Sequence, residues 1–258
     1  MNTTKRLIST GLAALVLATV PGVAYAEEAP PDTAPVERST AGEEARAEAE
    51  ARWFETLQAR ALEAIEKRLA TLDDLEAAIA RSESVTADHA AALLAEVRAS
   101  HAGLAGLAGE IRAATDLETL RVLVPKIFED YRVYAVTVPK VHLVVAADGA
   151  GAIAARLDEA TEAIGSMLDR LAEAGFDVAD GEALLAEMER LVESGATSAA
   201  AVPPMVLGLT PADYPGSSEV LRSAHGTLQS AGTDLRSAGD TAREIGAFIR
   251  ALFDNDAD

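Results

Sequence analysis

The chain of 258 residues contains no cysteine. Disulfides, the usual staple of small exported domains, are therefore excluded, and so is a lipid anchor on a cysteine behind a signal segment. Histidine is nearly as scarce, with only His89, His101, His142 and His225. No two of them stand three or four residues apart and there is no HExxH run, so nothing marks a transition-metal site. The stretch Asp148, Gly149, Ala150, Gly151 lacks the alternating oxygen ligands of a calcium loop. It makes only a fragment of a dinucleotide fingerprint, with no strand before it and no third glycine. A G-x-S-x-G elbow is also missing. Catalytic, metal and cofactor residues are accordingly expected to be none, and the chain is not expected to be an enzyme.

Aromatic residues make up only 4% of the chain, while alanine is abundant. That balance favours helices packed closely through small side chains over a sandwich or barrel. Positive charge is the other shortage: 22 Lys and Arg stand against 42 Asp and Glu, a formal charge of −20. Such a surface repels nucleic acid and anionic lipid, so no nucleic-acid partner is expected; its first meaning is solubility. Beyond the N-terminus no apolar run reads as long and continuous enough to cross a bilayer, and the chain ends without a hydrophobic tail or a basic stop.

What is present begins with an export signal. Lys5 and Arg6 precede an apolar run over residues 7–23, followed by Ala24, Tyr25 and Ala26, the small-x-small pattern of a cleavage site. Residues 1–26 are read as a signal peptide cleaved after Ala26. The protein is thus expected outside the cell or at its envelope, with no membrane insertion after cleavage. Losing Lys5 and Arg6 and no acid takes the charge from −20 to −22. Residues 27–41, rich in proline and acids, are read as a disordered leader, and residues 42–258 as one helical bundle domain.

The domain reads as all-α throughout. A first helix is predicted over 42–82, with Leu62, Ile65, Leu69, Leu72 and Ile79 on one seam, Leu75 beside it, and Trp53 as an apolar anchor at the bundle end. Thr86 is a fitting N-cap for a second helix over 86–113, whose seam is Leu93, Val97, Ser100, Leu104, Leu107 and Ile111. Gly103, Gly106 and Gly109 recur beside that seam, which suggests the close approach of a neighbour.

The centre of the chain is residues 115–148. Thr115 and Glu118 have capping-box spacing. Leu120, Val124, Ile127, Tyr131, Tyr134, Val138, Val141 and Val145 follow in steps of 4 and 3, an unbroken heptad seam. Pro125 and Pro139 lie inside it. Because the seam keeps phase through both, two kinks are predicted in a single bent helix over 117–174, about 85 Å long; a break near Gly149 is the alternative. Gly175 is a good residue to end it.

A shorter helix is predicted over 180–195, closed by Gly195. Residues 196–217 then read as one long loop, with Pro203 and Pro204 extended and a helical turn at Thr210, Pro211 and Asp213. The last helix repeats in sevens from Leu221. Leu221, Leu228, Leu235, Ala242 and Ile249 alternate with Ala224, Ala231, Ala238, Ile245 and Leu252, as a tight helix–helix contact requires. The predicted fold is an elongated antiparallel helical bundle with coiled-coil-like heptad packing around one long kinked helix.

The richest polar-aromatic cluster lies at the kinks: Asp130, Tyr131, Arg132, Tyr134, Lys140 and His142. Its ordinary reading is two core aromatics whose hydroxyls find partners. Its functional reading is a ligand or partner site.

Several of these residues carry a resemblance. Thr115, Asp116, Leu117 and Leu120, then Asp130 to Tyr134, Pro139, Ala147 and Asp148 resemble a pattern in uncharacterised secreted helical proteins of high-GC Gram-positive, actinobacterial-type bacteria. So does the tail, with Leu209, Thr210, Pro211, Tyr214, Pro215, Val220 and Leu221 ahead of the heptads. The resemblance covers roughly residues 60–250; it implies export and helical architecture and carries no catalytic residue. Function is therefore expected to be a non-enzymatic structural or interaction role, with a cell-envelope component or another protein as partner. The alternative is an extracellular small-molecule or cation-binding module at the kinked Tyr/Arg cluster.

Overall fold

A computed structural model describes residues 36–255. The signal segment 1–26 and most of the leader 27–41 lie outside the described residues. The chain divides after Ala45 into two units. Of the first, residues 36–45 are described, and they are helical. All that follows concerns the second, Arg46–Asp258.

Among the described residues every regular element is helical and none is a strand. Helix α1 is Val36–Arg81, α2 is Ala87–Ala113, α3 is Leu117–Glu129, α4 is Val138–Glu173, α5 is Ala179–Val206 and α6 is Ser217–Asn255. A π-helical turn, Val133–Thr137, precedes α4, and a 3₁₀ turn, Pro211–Asp213, precedes α6.

The helix ends follow local chemistry. Thr86 caps α2, its side chain accepting from the His89 N–H. Asp116, one residue past the predicted Thr115, caps α3: its carboxylate accepts from the Thr119 N–H at 2.7 Å and from the Thr119 hydroxyl at 2.9 Å. Just past α4 comes Gly175, whose φ of +94° is the left-handed conformation glycine adopts without penalty. There the Phe176 N–H reaches the Leu171 carbonyl at 3.1 Å and the Gly175 N–H reaches that of Ala172 at 2.9 Å. This is the Schellman pattern, and Phe176 packs in the same apolar cluster as Leu171.

The single kinked helix over 117–174 is corrected to two helices. Helix α3 runs through Pro125 but stops at Glu129, and residues 130–132 leave the helix. The expected alternative, a break at Gly149, does not occur either, because α4 continues through Gly149 and Gly151. Helix α5 also differs from its predicted extent: it passes Gly195, Pro203 and Pro204 and ends at Val206. The predicted loop over 196–217 shrinks to residues 207–216, and the helical turn expected at Thr210 and Pro211 forms there.

Two main cores hold the helices. The first joins Ile65, Leu72 and Ile79 of α1, Leu93, Leu104 and Ile111 of α2, Leu120 and Ile127 of α3, Val144 of α4, Val202 of α5 and Ala224 of α6. The second joins Ala154 of α4, Met188 and Ala199 of α5, and Ala231, Leu235, Ala238 and Ile245 of α6. Of the predicted α6 seam, Leu221, Ala224, Ala231, Leu235, Ala238 and Ile245 are buried, and Leu228, Ala242, Ile249 and Leu252 partly so. Trp53 is not an anchor: half of it is exposed. By composition, the stretch Leu117–Glu173 holds one window apolar enough to cross a membrane, with mean hydropathy 1.3. Within that stretch Val141, Val144 and Ala147 are buried among the other helices.

Candidate functional site

The break between α3 and α4 has a local cause. In a straight helix the ring of Pro139 would press on the Ala135 carbonyl, and Pro139 has no N–H to give. The turn ahead of it widens instead, and the Val138 N–H reaches back five residues to the Val133 carbonyl. Single π turns inside helical stretches recur at functional sites. Arg132, which opens this turn, has φ 44° and ψ 37°. It is the one non-glycine residue with positive φ among those described. Left-handed backbone at such a residue costs about 1–3 kcal/mol and must be held by its surroundings.

What holds it is visible around its side chain. The Arg132 guanidinium carbon lies 4.2 Å from the ring centre of Tyr214, which the 3₁₀ turn presents from the loop before α6. Arg68 of α1 reaches the same place from the other side, 4.5 Å from the Phe128 ring centre and 5.1 Å from that of Tyr134. One Arg68 amino group donates to the Ala64 carbonyl at 2.7 Å. Burial pushes the Arg68 pKa down from its usual value, with the nearby Tyr134 pulling the other way. The Tyr134 hydroxyl sits 3.3 Å from both the Lys67 carbonyl oxygen and Thr71 Oγ1.

These side chains line a cleft of about 200 Å³, together with Ile127, Val133 and Ala135. Its three aromatic rings are all well exposed: Phe128 by 48%, Tyr134 by 51% and Tyr214 by 40%. Among the described residues neither Arg68 nor Arg132 forms an ion pair. Arg132 Nε is buried and has no hydrogen-bond partner.

The cluster expected from the sequence is therefore divided. Arg132 and Tyr134 enter the cleft. Tyr131 turns away onto α2, where its hydroxyl would lie 2.6 Å from a Cβ placed on Gly103. Burial pushes the Tyr131 pKa up, with Asp130 and Glu110 adding to it. Asp130 is the exposed C-cap of α3, and His142 is exposed on α4. Lys140 is only 1% exposed, pairs with Glu96 of α2 and donates to the Leu209 carbonyl, so it ties α4 to α2 and to the loop before α6. Arg68, Phe128 and Tyr214 were not foreseen. Phe128 and Tyr214 carried a faint signal, an aromatic ring at a helix end and another in a proline-rich loop.

Asp148 illustrates a different use of polar groups. It accepts from the Thr86 N–H at 3.0 Å and lies 2.9 Å from His89 Nδ1, so a carboxylate on α4 completes the cap of α2. Between α4 and α5 runs a larger hollow of about 630 Å³, beside Asp158, Glu162, Glu189 and Glu193. Its floor is Gly151, Ala154 and Ala196, and its walls are what any strongly acidic helical surface displays. Among the described residues no group of three or more His, Asp or Glu could hold a metal ion. No family model, no curated protein and no solved structure matches the chain.

Proposed function

We propose that this is an exported, non-enzymatic helical protein that acts by binding, at the cell envelope or outside the cell; the resemblance to secreted helical proteins supports the export and the helical architecture. Its helices form an elongated antiparallel bundle with coiled-coil-like seams, and the arginine–aromatic cleft at the α3–α4 break is its contact surface. One observation carries the reading. The cleft exposes three aromatic rings beside two half-buried arginines, on a surface otherwise dominated by acids. Tyr, Phe and Arg are enriched in interfaces, and Tyr and Arg are among the residues on which binding energy concentrates.

The test is sedimentation. Mature protein (residues 27–258) is mixed with cell envelopes of the source organism at low and at high salt. The expected outcome is pelleting that survives high salt in the parent chain and is lost in Tyr214→Ala. Pelleting that vanishes in salt would be charge attraction alone and would sink the proposal, as would turnover of an envelope substrate.

A further inference from the structure

Resting on that reading of the cleft, we infer that it takes a single oxyanionic group, a carboxylate or phosphate, carried on a small apolar or planar body. Stacking occupies the faces of the two guanidinium groups, Arg132 on Tyr214 and Arg68 between Phe128 and Tyr134. It leaves the edges, where the N–H donors are. A guanidinium edge matches the spacing of carboxylate or phosphate oxygens, and an aromatic platform fixes it in place.

Arg132 Nε is itself buried, so the terminal amino groups are what this side chain offers a ligand. One further feature points the same way. The backbone at Arg132 is left-handed, φ 44°, so the fold tolerates strain to bring this side chain to the cleft. Size and charge then narrow the ligand. A volume of about 200 Å³ holds one headgroup and its neighbouring atoms; clefts for drug-sized ligands run from about 300 Å³ upwards. A formal charge of −20 opposes any polyanion laid along the surface. A single anionic group is affected less, because at physiological salt remote carboxylates are screened beyond about 8 Å. Nucleic acid and acidic polymers are disfavoured, and a small one-headed anion remains. The cation-binding alternative weakens because two guanidinium groups line the cleft itself.

The experiment is calorimetric titration of the mature chain with benzoate, acetate and inorganic phosphate at fixed ionic strength, with chloride as the control. Benzoate against acetate reads the value of the planar body; the carboxylates against phosphate identify the headgroup. Arg132→Gly is the informative variant, because glycine accepts the left-handed backbone and the protein should fold unchanged. The expected result is saturable binding of at least one oxyanion by the parent chain, at least 10-fold weaker in Arg132→Gly and in Arg68→Lys. Equal binding by parent and Arg132→Gly, or no binding of any oxyanion, overturns the inference. The sedimentation assay separates the two ideas. If Tyr214→Ala abolishes pelleting but no oxyanion binds, the contact surface stands and the oxyanion falls. If oxyanion binding depends on Arg132 but pelleting ignores the cleft, the oxyanion stands and the docking role falls.

Discussion

Lys140 is the most buried charge among the described residues, and its surroundings predict an unequal response to mutation. Its side chain is 1% exposed, while the Glu96 side chain opposite remains 28% exposed. Removing one member of a buried pair costs about 3–5 kcal/mol when the survivor cannot reach water. In Lys140→Met the survivor is Glu96; its Oε1 is already buried without a partner, but the side chain as a whole is 28% exposed and can turn towards water, so the expected loss is near the lower end of that range. In Glu96→Leu the survivor is the enclosed ammonium, left with only the Leu209 carbonyl, and the loss should be greater. Urea unfolding of both variants checks the order. Equal losses would mean that the pair is hydrated in solution and that Lys140 does not tie the loop to α4. Little of this was legible beforehand. Lys140 falls one residue before Val141 of the apolar seam and reads as a ligand group, because no spacing rule announces that Glu96, 44 residues earlier, will meet it.

At the scale of the helices, the α5–α6 contact rests on an absent side chain. A Cβ on Gly195 would lie 2.7 Å from both Cγ and Cδ2 of Leu235 and 3.3 Å from the Ala231 carbonyl oxygen. Gly195→Ala should therefore lose about 1–3 kcal/mol through overpacking. Adding Leu235→Ala should recover part of that loss. Gly226→Ala on α6 is the control, because nothing lies within 4 Å of the new methyl, and it should gain up to about 1 kcal/mol from helix propensity. Thermal melts of the three variants suffice. A Gly195→Ala protein as stable as the parent would show that the two helices separate easily.

The same glycine explains what the sequence could and could not reveal at this scale. Seams were readable because burial repeats with the helical period: Leu93, Val97, Leu104, Leu107 and Ile111 are all buried, as are Leu221, Ala224, Ala231 and Ala238. Helix ends were harder. Gly195 looks like a terminator, yet here it makes room for Leu235, and only the neighbouring helix distinguishes the two uses. Pro203 and Pro204 sit in the last turn of α5, where each removes a backbone donor, and the burial of Val202, Pro203 and Val206 against the neighbouring helices offsets that loss. Conversely, the heptad rhythm runs through Tyr131 and Tyr134 without a change of phase, so it hid the break. The left-handed Arg132 has no sequence signature. Of the charged and aromatic residues of the cleft, Arg132 and Tyr134 were therefore visible in a cluster, whereas Phe128 at the end of α3, Arg68 of α1 and Tyr214 of the loop before α6 join it only through the fold.

For the whole molecule, two acid–base effects act in opposite directions. At pH 7 the formal charge of −20 strains the folded state through self-repulsion, and this relaxes as pH falls towards the isoelectric point near 4.5. Against it stand carboxylates held below their usual range by folded-state partners. Asp116 is lowered by the Thr119 N–H and hydroxyl, and Asp213 by the Thr210 hydroxyl and N–H. Glu63 is lowered by Lys67, and Glu187 by Arg190. A depressed folded pKa means that the unfolded chain takes up protons first. The stability these groups contribute is present above their unfolded values near pH 4 and is lost as pH falls through the folded ones. The urea midpoint is therefore expected to rise from pH 7 to about pH 5 and to fall below about pH 4. Added salt at pH 7 should reproduce the first rise, because it screens the same repulsion. The second fall should be smaller in Asp116→Asn, where one depressed carboxylate is gone. A midpoint that stays flat from pH 7 to pH 5 and ignores salt would show that the acids are spaced too widely to repel. The acidic surface would then act only on solubility and on the choice of ligand, and would cost the fold nothing.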